Sequence, residues 1–314
     1  MAEKSLVGDH LADKFKRRRR LANTVSPLPS KTRVMTVSNQ KGGVGKTTTT
    51  VNLASALARR GANVLVIDLD PQGNASTALG VAHRPEVTSV YDVLLGDAEL
   101  SDALQVSSDH ENLTCVPSTI HLAGAEIELV SLVAREQRLR TAVDTFLKES
   151  DRDYHYVFID CPPSLGLLTV NAFVAAQEVL IPIQCEYYAL EGLSQLLGNI
   201  QLIQKHLNPT LRVSTILLTM FDARTNLAHE VAHEVREHFP GEVLDAVIPR
   251  SVRISEAPSY GQTVHEYDGG SIGAIAYLEA AAEIADRGAR AEKAEKLEAA
   301  KARPGDTVIQ NEGA

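Results

Sequence analysis

Between Arg33 and Arg60 the chain passes from a short β-branched apolar run, through Ser38-Asn39-Gln40-Lys41-Gly42-Gly43-Val44-Gly45-Lys46-Thr47-Thr48, into a helical pattern. A glycine-rich turn at that junction suits a backbone that must come close to a ligand, and here a lysine stands on each side of it. The common phosphate-loop spacing is glycine, four residues, then Gly-Lys-Ser/Thr. Gly45-Lys46-Thr47 satisfies its end, while Gln40 occupies the place of the first glycine. The backbone N–H groups from Gly42 to Thr48, together with Lys46, would hold β- and γ-phosphates, and Thr47 offers a hydroxyl to Mg²⁺. Lys41 is then a surplus cation. Read for packing alone, the segment would be a turn with two solvated lysines, but the flanking strand and helix agree with the phosphate reading.

Apolar β-like runs alternate with longer helical patterns from residue 33 onward. The expected strands are Arg33 to Ser38, Asn63 to Leu69, Asn112 to Pro117, Tyr156 to Asp160, Glu178 to Ile183, Val213 to Thr219 and Val243 to Ile248. This alternation predicts an α/β fold: a single phosphate-loop NTPase domain with a mostly parallel, doubly wound sheet and helices on both faces. The first helix is expected from Thr47 to Arg60, closed by Gly61. After Ser271 the sequence is Ala-rich and charged, which predicts a helix to about residue 302 on propensity. Leu297 is its only large apolar residue between Arg290 and Arg303, so membrane docking is not expected. Residues 1–32, with Lys16-Arg17-Arg18-Arg19-Arg20 and Ser26-Pro27-Leu28-Pro29-Ser30, are expected to form a disordered basic arm. Residues 33–285 form the expected domain, and 286–314 a helical extension with an unstructured end.

Charge divides unevenly. Residues 1–33 hold nine Lys/Arg against three Asp/Glu, a net of +6, so the overall −9 leaves −15 on the remainder. Such a body repels DNA unless positive charge is gathered locally, in the arm, or by pairing two copies of a weak patch. Cys115, Cys161 and Cys185 contain no Cys-x-x-Cys pair, which argues against zinc or a disulfide framework and for a reducing cytoplasm. Cys161 has no paired histidine motif and reads as a small packing residue. Neither a signal-peptide pattern nor an apolar run long enough to span a membrane is present.

Two further strands end in acids. Val64-Leu65-Val66-Ile67-Asp68-Leu69-Asp70 brings two carboxylates to the strand end beside the phosphate loop, where ligands of open α/β sheets gather. Period two predicts that Asp68 and Asp70 share a side and both border the ligand. Val157-Phe158-Ile159-Asp160 ends in a carboxylate suited to hold Mg²⁺ through water.

The stretch Lys41-Gly-Gly-Val-Gly-Lys-Thr-Thr48 resembles the deviant Walker A box of the ParA/MinD ATPases. The segments Leu218-Thr219-Met220-Phe221-Asp222-Ala223-Arg224-Thr225-Asn226 and Ile248-Pro249-Arg250-Ser251-Val252-Arg253-Ile254-Ser255-Glu256-Ala257-Pro258-Ser259 resemble the Soj-like, chromosomal ParA branch. The resemblance covers about residues 33 to 285 and leaves the basic arm and the extension outside it. It implies a cytoplasmic, nucleoid-associated ATP hydrolase, slow when alone. Such a protein forms an ATP-dependent sandwich homodimer, binds nonspecific double-stranded DNA and responds to a ParB-type partner. Lys41 would reach the other subunit's nucleotide, Asp70 would orient the attacking water, and Lys41, Lys46 and Asp70 form the catalytic set. Gly42, Gly43, Val44, Gly45, Lys46, Thr47 and Thr48 would join Lys41 at the phosphates, with Met220 and the loop from Pro249 at the adenine. Thr47 and Asp160 would serve the metal, and Arg224 and Arg253 the DNA. The rival readings are a MinD-like membrane-associated regulator, a metabolic ATP-dependent ligase or kinase, and an iron-sulfur reductase. The polar tail opposes the first. The two arginine segments oppose the second, and the position of Cys161 opposes the third.

Overall fold

A computed structural model describes residues 14–21, 24–187 and 189–301. Eight strands form one sheet: β1 (Arg33–Val37), β2 (Val64–Asp68), β3 (Gln105–Val106), β4 (Leu113–Val116), β5 (Tyr156–Asp160), β6 (Glu178–Gln184), β7 (Arg212–Phe221) and β8 (Val243–Pro249). Their order is β3-β4-β2-β5-β1-β6-β7-β8, parallel throughout except for β3 against β4.

Central strands read as continuous apolar runs because helices cover both faces. On β5, Val157 and Ile159 enter one core while Tyr156 and Phe158 enter the other. β2 divides in the same way, Leu65 and Ile67 against Val64 and Val66. The first core is closed by helices that include Arg138–Glu149, Leu167–Ala175, Ala189–His206 and Asn226–His238. Lys46–Ala58 and Ile272–Lys301 cover the second, and Tyr277 of the latter is almost fully buried there.

All seven expected strands are present within one or two residues at most ends. β3, which sequence reading did not find, has only two residues at the sheet edge, too few for any periodicity. The loop helix ends at Ala58, and Gly61 turns away at φ +91 with its N–H on Ala58 O. The C-terminal helix runs unbroken across the expected domain boundary at 285 and is described to Lys301.

The basic arm departs from expectation. Residues 14–21 are helical rather than disordered, and Leu21 is buried. Arg17 donates twice to Glu279 (3.1 and 2.6 Å), and Arg20 donates to it at 3.1 Å. Arg60 caps the turn that follows through Thr24 O and Ser26 Oγ, and Ser30 donates to Glu292 through both N and Oγ. The segment cannot bury a core of its own, but it borrows partners some 262 residues away in sequence. Local composition cannot register such pairings. The expectations for residues 1–13, 22–23 and 302–314 lie outside the described residues.

Candidate functional site

The loop after β1 turns through Gly43 (φ +74) and Gly45 (φ +86), a backbone region that strains any side chain. The following helix starts at Lys46 without a side-chain cap, so its first amides are left for a ligand. Lys46 is 7% exposed, and its Nζ lies 3.3 Å from Lys41 O. Burial lowers its pKa, opposed by the charges of Asp160 and Asp70.

Asp160 closes β5 in register with Val37 of β1 and Asp68 of β2. It accepts from Thr47 Oγ1 at 2.7 Å and Thr50 Oγ1 at 2.8 Å. Full burial, reinforced by the neighbouring charge of Asp68, raises its pKa to about 7. A buried carboxylate beside a threonine hydroxyl at the loop's end is a donor set that fits a hard cation such as Mg²⁺.

Asp68 and Asp70 part company, against the expectation that both border the ligand. Asp68 is fully buried and turned inward, accepting from Ser76 N (2.8 Å) and Ser76 Oγ (2.6 Å). Burial raises its pKa to about 6 despite those bonds. Asp70 lies beyond the end of β2, where Gly73 N bonds Asp70 O and the strand period has lapsed. It borders the cleft, with Oδ1 accepting from Gln72 N at 3.0 Å.

That cleft, of about 270 Å³, is bordered by Gly42, Gly43, Gly45, Lys46, Thr47, Thr48, Asp70 and Met220, and also by Asn74 and Pro163. A smaller recess of about 90 Å³ shares Gly45, Thr48 and Met220 with it and extends to Pro249, Ser251 and Tyr277. The two together offer a polar end and a more apolar end, the shape a nucleotide needs. Met220 occupies the left-handed region at φ +49, an uncommon and costly conformation for a non-glycine residue. Thr219 beside it donates to Val44 O at 2.9 Å and ties β7 to the loop.

Two members of the expected phosphate set do not face the cleft. Val44 packs its side chain inward, at 1% exposure, and gives only backbone. Lys41 turns outward, drawn by the Glu186 carboxylate at 2.8 Å, with its side chain 41% exposed. Glu186 was not legible in the sequence, since nothing in its local pattern announces a counterion for the loop. Thr50 and Ser76, which hold the buried acids, are equally silent.

Both expected DNA-contacting arginines are exposed and paired with acids. Arg224 grips Asp222 at 2.8 and 2.7 Å, and Arg253 reaches Glu256 at 3.2 Å and Asp268 at 3.6 Å. Asp222 is held well below the usual carboxylate range by Arg224, with Arg250 adding to the effect. Arg250 is a third exposed cation of this rim that the sequence reading did not single out.

Comparison with known proteins agrees with this geometry. An AAA domain family model matches residues 32–213. The sporulation initiation inhibitor protein Soj of Bacillus subtilis is 52% identical over 82% of this chain and 99% of its own length. The chromosome partitioning protein ParA of Caulobacter vibrioides is 49% identical over 81% and 94%. Among solved structures, the cobyrinic acid a,c-diamide synthase of Mycobacterium smegmatis with bound ADP and magnesium superimposes with TM-score 0.69. It is 39% identical and covers 84% of this chain and 96% of that one. The cell division ATPase MinD of Pyrococcus furiosus gives 0.66 at 29% identity, covering 80% and 98%. With its two-lysine phosphate loop, its acid-tipped strands and relatives near 50% identity over most of its length, the chain belongs to the Soj/ParA family of chromosome-partitioning ATPases.

Proposed function

We propose that this protein is an ATP-driven DNA-partitioning switch. ATP with Mg²⁺ joins two copies, the pair holds DNA without sequence preference, and a ParB-type partner stimulates hydrolysis and release. The observation that carries this reading is the divergence of two lysines in one loop. Lys46 points into the cleft, while Lys41 stands on its outer wall, tethered to an exposed glutamate. A cation held at the surface, five residues before the lysine of the phosphate cradle, would meet a phosphate that belongs to another copy.

Within one subunit, Lys46 and the amides from Gly42 to Thr48 would bind the β- and γ-phosphates, and Met220 and Pro249 would border the base. Thr47 and Asp160 would hold Mg²⁺, which when bound neutralises charge on the phosphate oxygens. Asp70, at the cleft wall, would orient water rather than take its proton. With no arginine bordering the phosphate cleft among the described residues, turnover is expected to be slow without a partner. Exchange of Asp222 and Glu256 for DNA phosphates would free Arg224 and Arg253 for the duplex, and a dimer would bring two such patches to the same duplex, gathering positive charge locally on an acidic protein.

Co-sedimentation with duplex DNA in ATP, in ADP and without nucleotide tests the reading, and ATP-selective binding is the expected result. Binding to anionic liposomes in place of DNA would favour the MinD-like role, and binding to neither would favour a metabolic enzyme. Lys41→Ala should bind ATP yet stay monomeric by light scattering, whereas Asp70→Ala should persist as an ATP-bound dimer with little turnover. Identical behaviour of the two variants would overturn the assigned roles.

A further inference from the structure

The helix at residues 14–21 is docked beside Arg253, not at a remote edge. A methyl group placed on Gly270 would stand 3.9 Å from Lys14 Nζ, 4.0 Å from Arg18 Nη1 and 3.6 Å from Asp268 Oδ1. Asp268 is also the carboxylate that Arg253 approaches at 3.6 Å. Lys14 and Arg18 therefore lie on the same side of Gly270 as the acid that Arg253 approaches, within about 8 Å of it. Arg17 and Arg20, on the neighbouring side of the helix, fasten it to Glu279. Helical spacing carries Lys16 and Arg19 to the outward side, where both are exposed.

We propose that residues 14–21 form a second contact for double-stranded DNA, continuous with the Arg253 surface, in which Lys14 and Arg18 bind phosphates of the same duplex that Arg253 touches. This rests on the DNA reading above and deepens it. Electrostatics favours the site: near Gly270 the cations Lys14, Arg18 and Arg253 outnumber the acids Asp268 and Glu256, and Lys16 and Arg19 add positive charge on the outward side of the same helix, so a local excess of positive charge opposes the acidic body. Docking matters as well as charge. A cation held in place by the Arg17–Glu279 clasp contributes to a defined surface, whereas a loose tail would have to be ordered by the DNA at an entropic cost. Phe15, 67% exposed on the outward side, gives the helix an apolar element that would suit a lipid surface. Continuity with Arg253 is what favours DNA.

The test compares the full chain with the double variant Lys14→Gln/Arg18→Gln, which leaves Arg17, Arg20 and the nucleotide cleft intact. Fluorescence anisotropy with a duplex of arbitrary sequence, in ATP and over a range of salt, gives both affinity and salt slope. Each lost phosphate contact flattens the slope by about 0.9, so the double variant should lose about 2 per subunit and bind roughly tenfold or more weakly at about 0.1 M salt. ATP affinity and the thermal midpoint should not change. Wild-type binding matched by the variant in both affinity and slope would overturn the proposal while leaving the partitioning reading in place. Failure of the wild type itself to bind DNA in ATP would instead remove the reading beneath it. If the variant keeps its DNA binding but loses binding to phosphatidylglycerol vesicles, the helix is a membrane contact and the proposal falls.

Discussion

The nucleotide cleft and the seam between the arm and the C-terminal helix treat charge in opposite ways. At and beneath the cleft, Lys46, Asp68 and Asp160 are buried in one neighbourhood, and all three have pKa values pushed toward their neutral forms by burial. At the seam each charge meets a close partner: Arg33 donates twice to Glu178 at 2.8 Å, and Arg17 fits Glu279 in the same two-pronged manner. Burial there is outweighed by contact, so Glu178 stays below its ordinary pKa because Arg33 holds its charged form. In the first region these charges are hydrogen-bonded only to hydroxyl, amide or carbonyl groups, whereas at the seam each meets an opposite charge. Substitutions should therefore affect ligand binding in the first and stability in the second.

The largest effect is expected at Lys46. Lys46→Ala removes charge-assisted bonds to phosphate worth about 3 kcal/mol or more, so ATP affinity measured by calorimetric titration should fall by roughly a hundredfold or more. The thermal midpoint without nucleotide should barely move. A midpoint drop as large as the seam variants give would erase the distinction.

Next comes Glu178→Gln. Removing one partner of a buried pair leaves Arg33 uncompensated and costs about 3 kcal/mol, read as a midpoint several degrees lower, with ATP affinity unchanged.

His265 packs against the loop helix, its Nε2 lying 3.1 Å from Asn52 O, with Arg59 and Asp109 nearby. Burial depresses its pKa from 6.5 to about 4. Neutral when folded and readily protonated when unfolded, it contributes stability that is complete above pH 6.5 and lost as pH falls toward 4. The total is about 3 kcal/mol at the acid end and a fraction of that at about pH 6. The stability difference between wild type and His265→Gln should shrink over that window, and a pH-independent difference would show that the ring titrates in the fold as it does in the unfolded chain.

The smallest effect is expected for Glu279→Gln, about 1 kcal/mol, because Arg17 and Arg20 remain partly in water. A loss as large as that of Glu178→Gln would mean that the arm is part of the folding core.

The same contrast explains what could be read from the sequence. The cleft was legible because Gly42 to Thr48 are contiguous and because Asp70 and Asp160 sit at the ends of apolar strands. What failed there was orientation: the strand period stops before Asp70, so Asp68 turns inward instead of sharing its side, and what was missed was Glu186, the partner of Lys41 from 145 residues away in sequence. The seam was illegible because its pairs, such as Arg17 with Glu279, link opposite ends of the chain. The basic stretch from Lys16 to Arg20 therefore looked like a solvated charge run, when it belongs to a docked helix.

The unbroken helix Ile272–Lys301 has a practical consequence for anyone shortening or labelling this protein. It receives Arg17 and Ser30 from the arm and Arg33 from the first strand, the last through Ile284 O at 2.9 Å. Trimming away the residues before Arg33, which lie outside the resemblance, would remove a strap, strip Arg60, Glu279 and Glu292 of their bonds, and bare the seat of Leu21. A cut meant as neutral would thus act as a lesion. A reporter fused close to Lys14 would load the same strap.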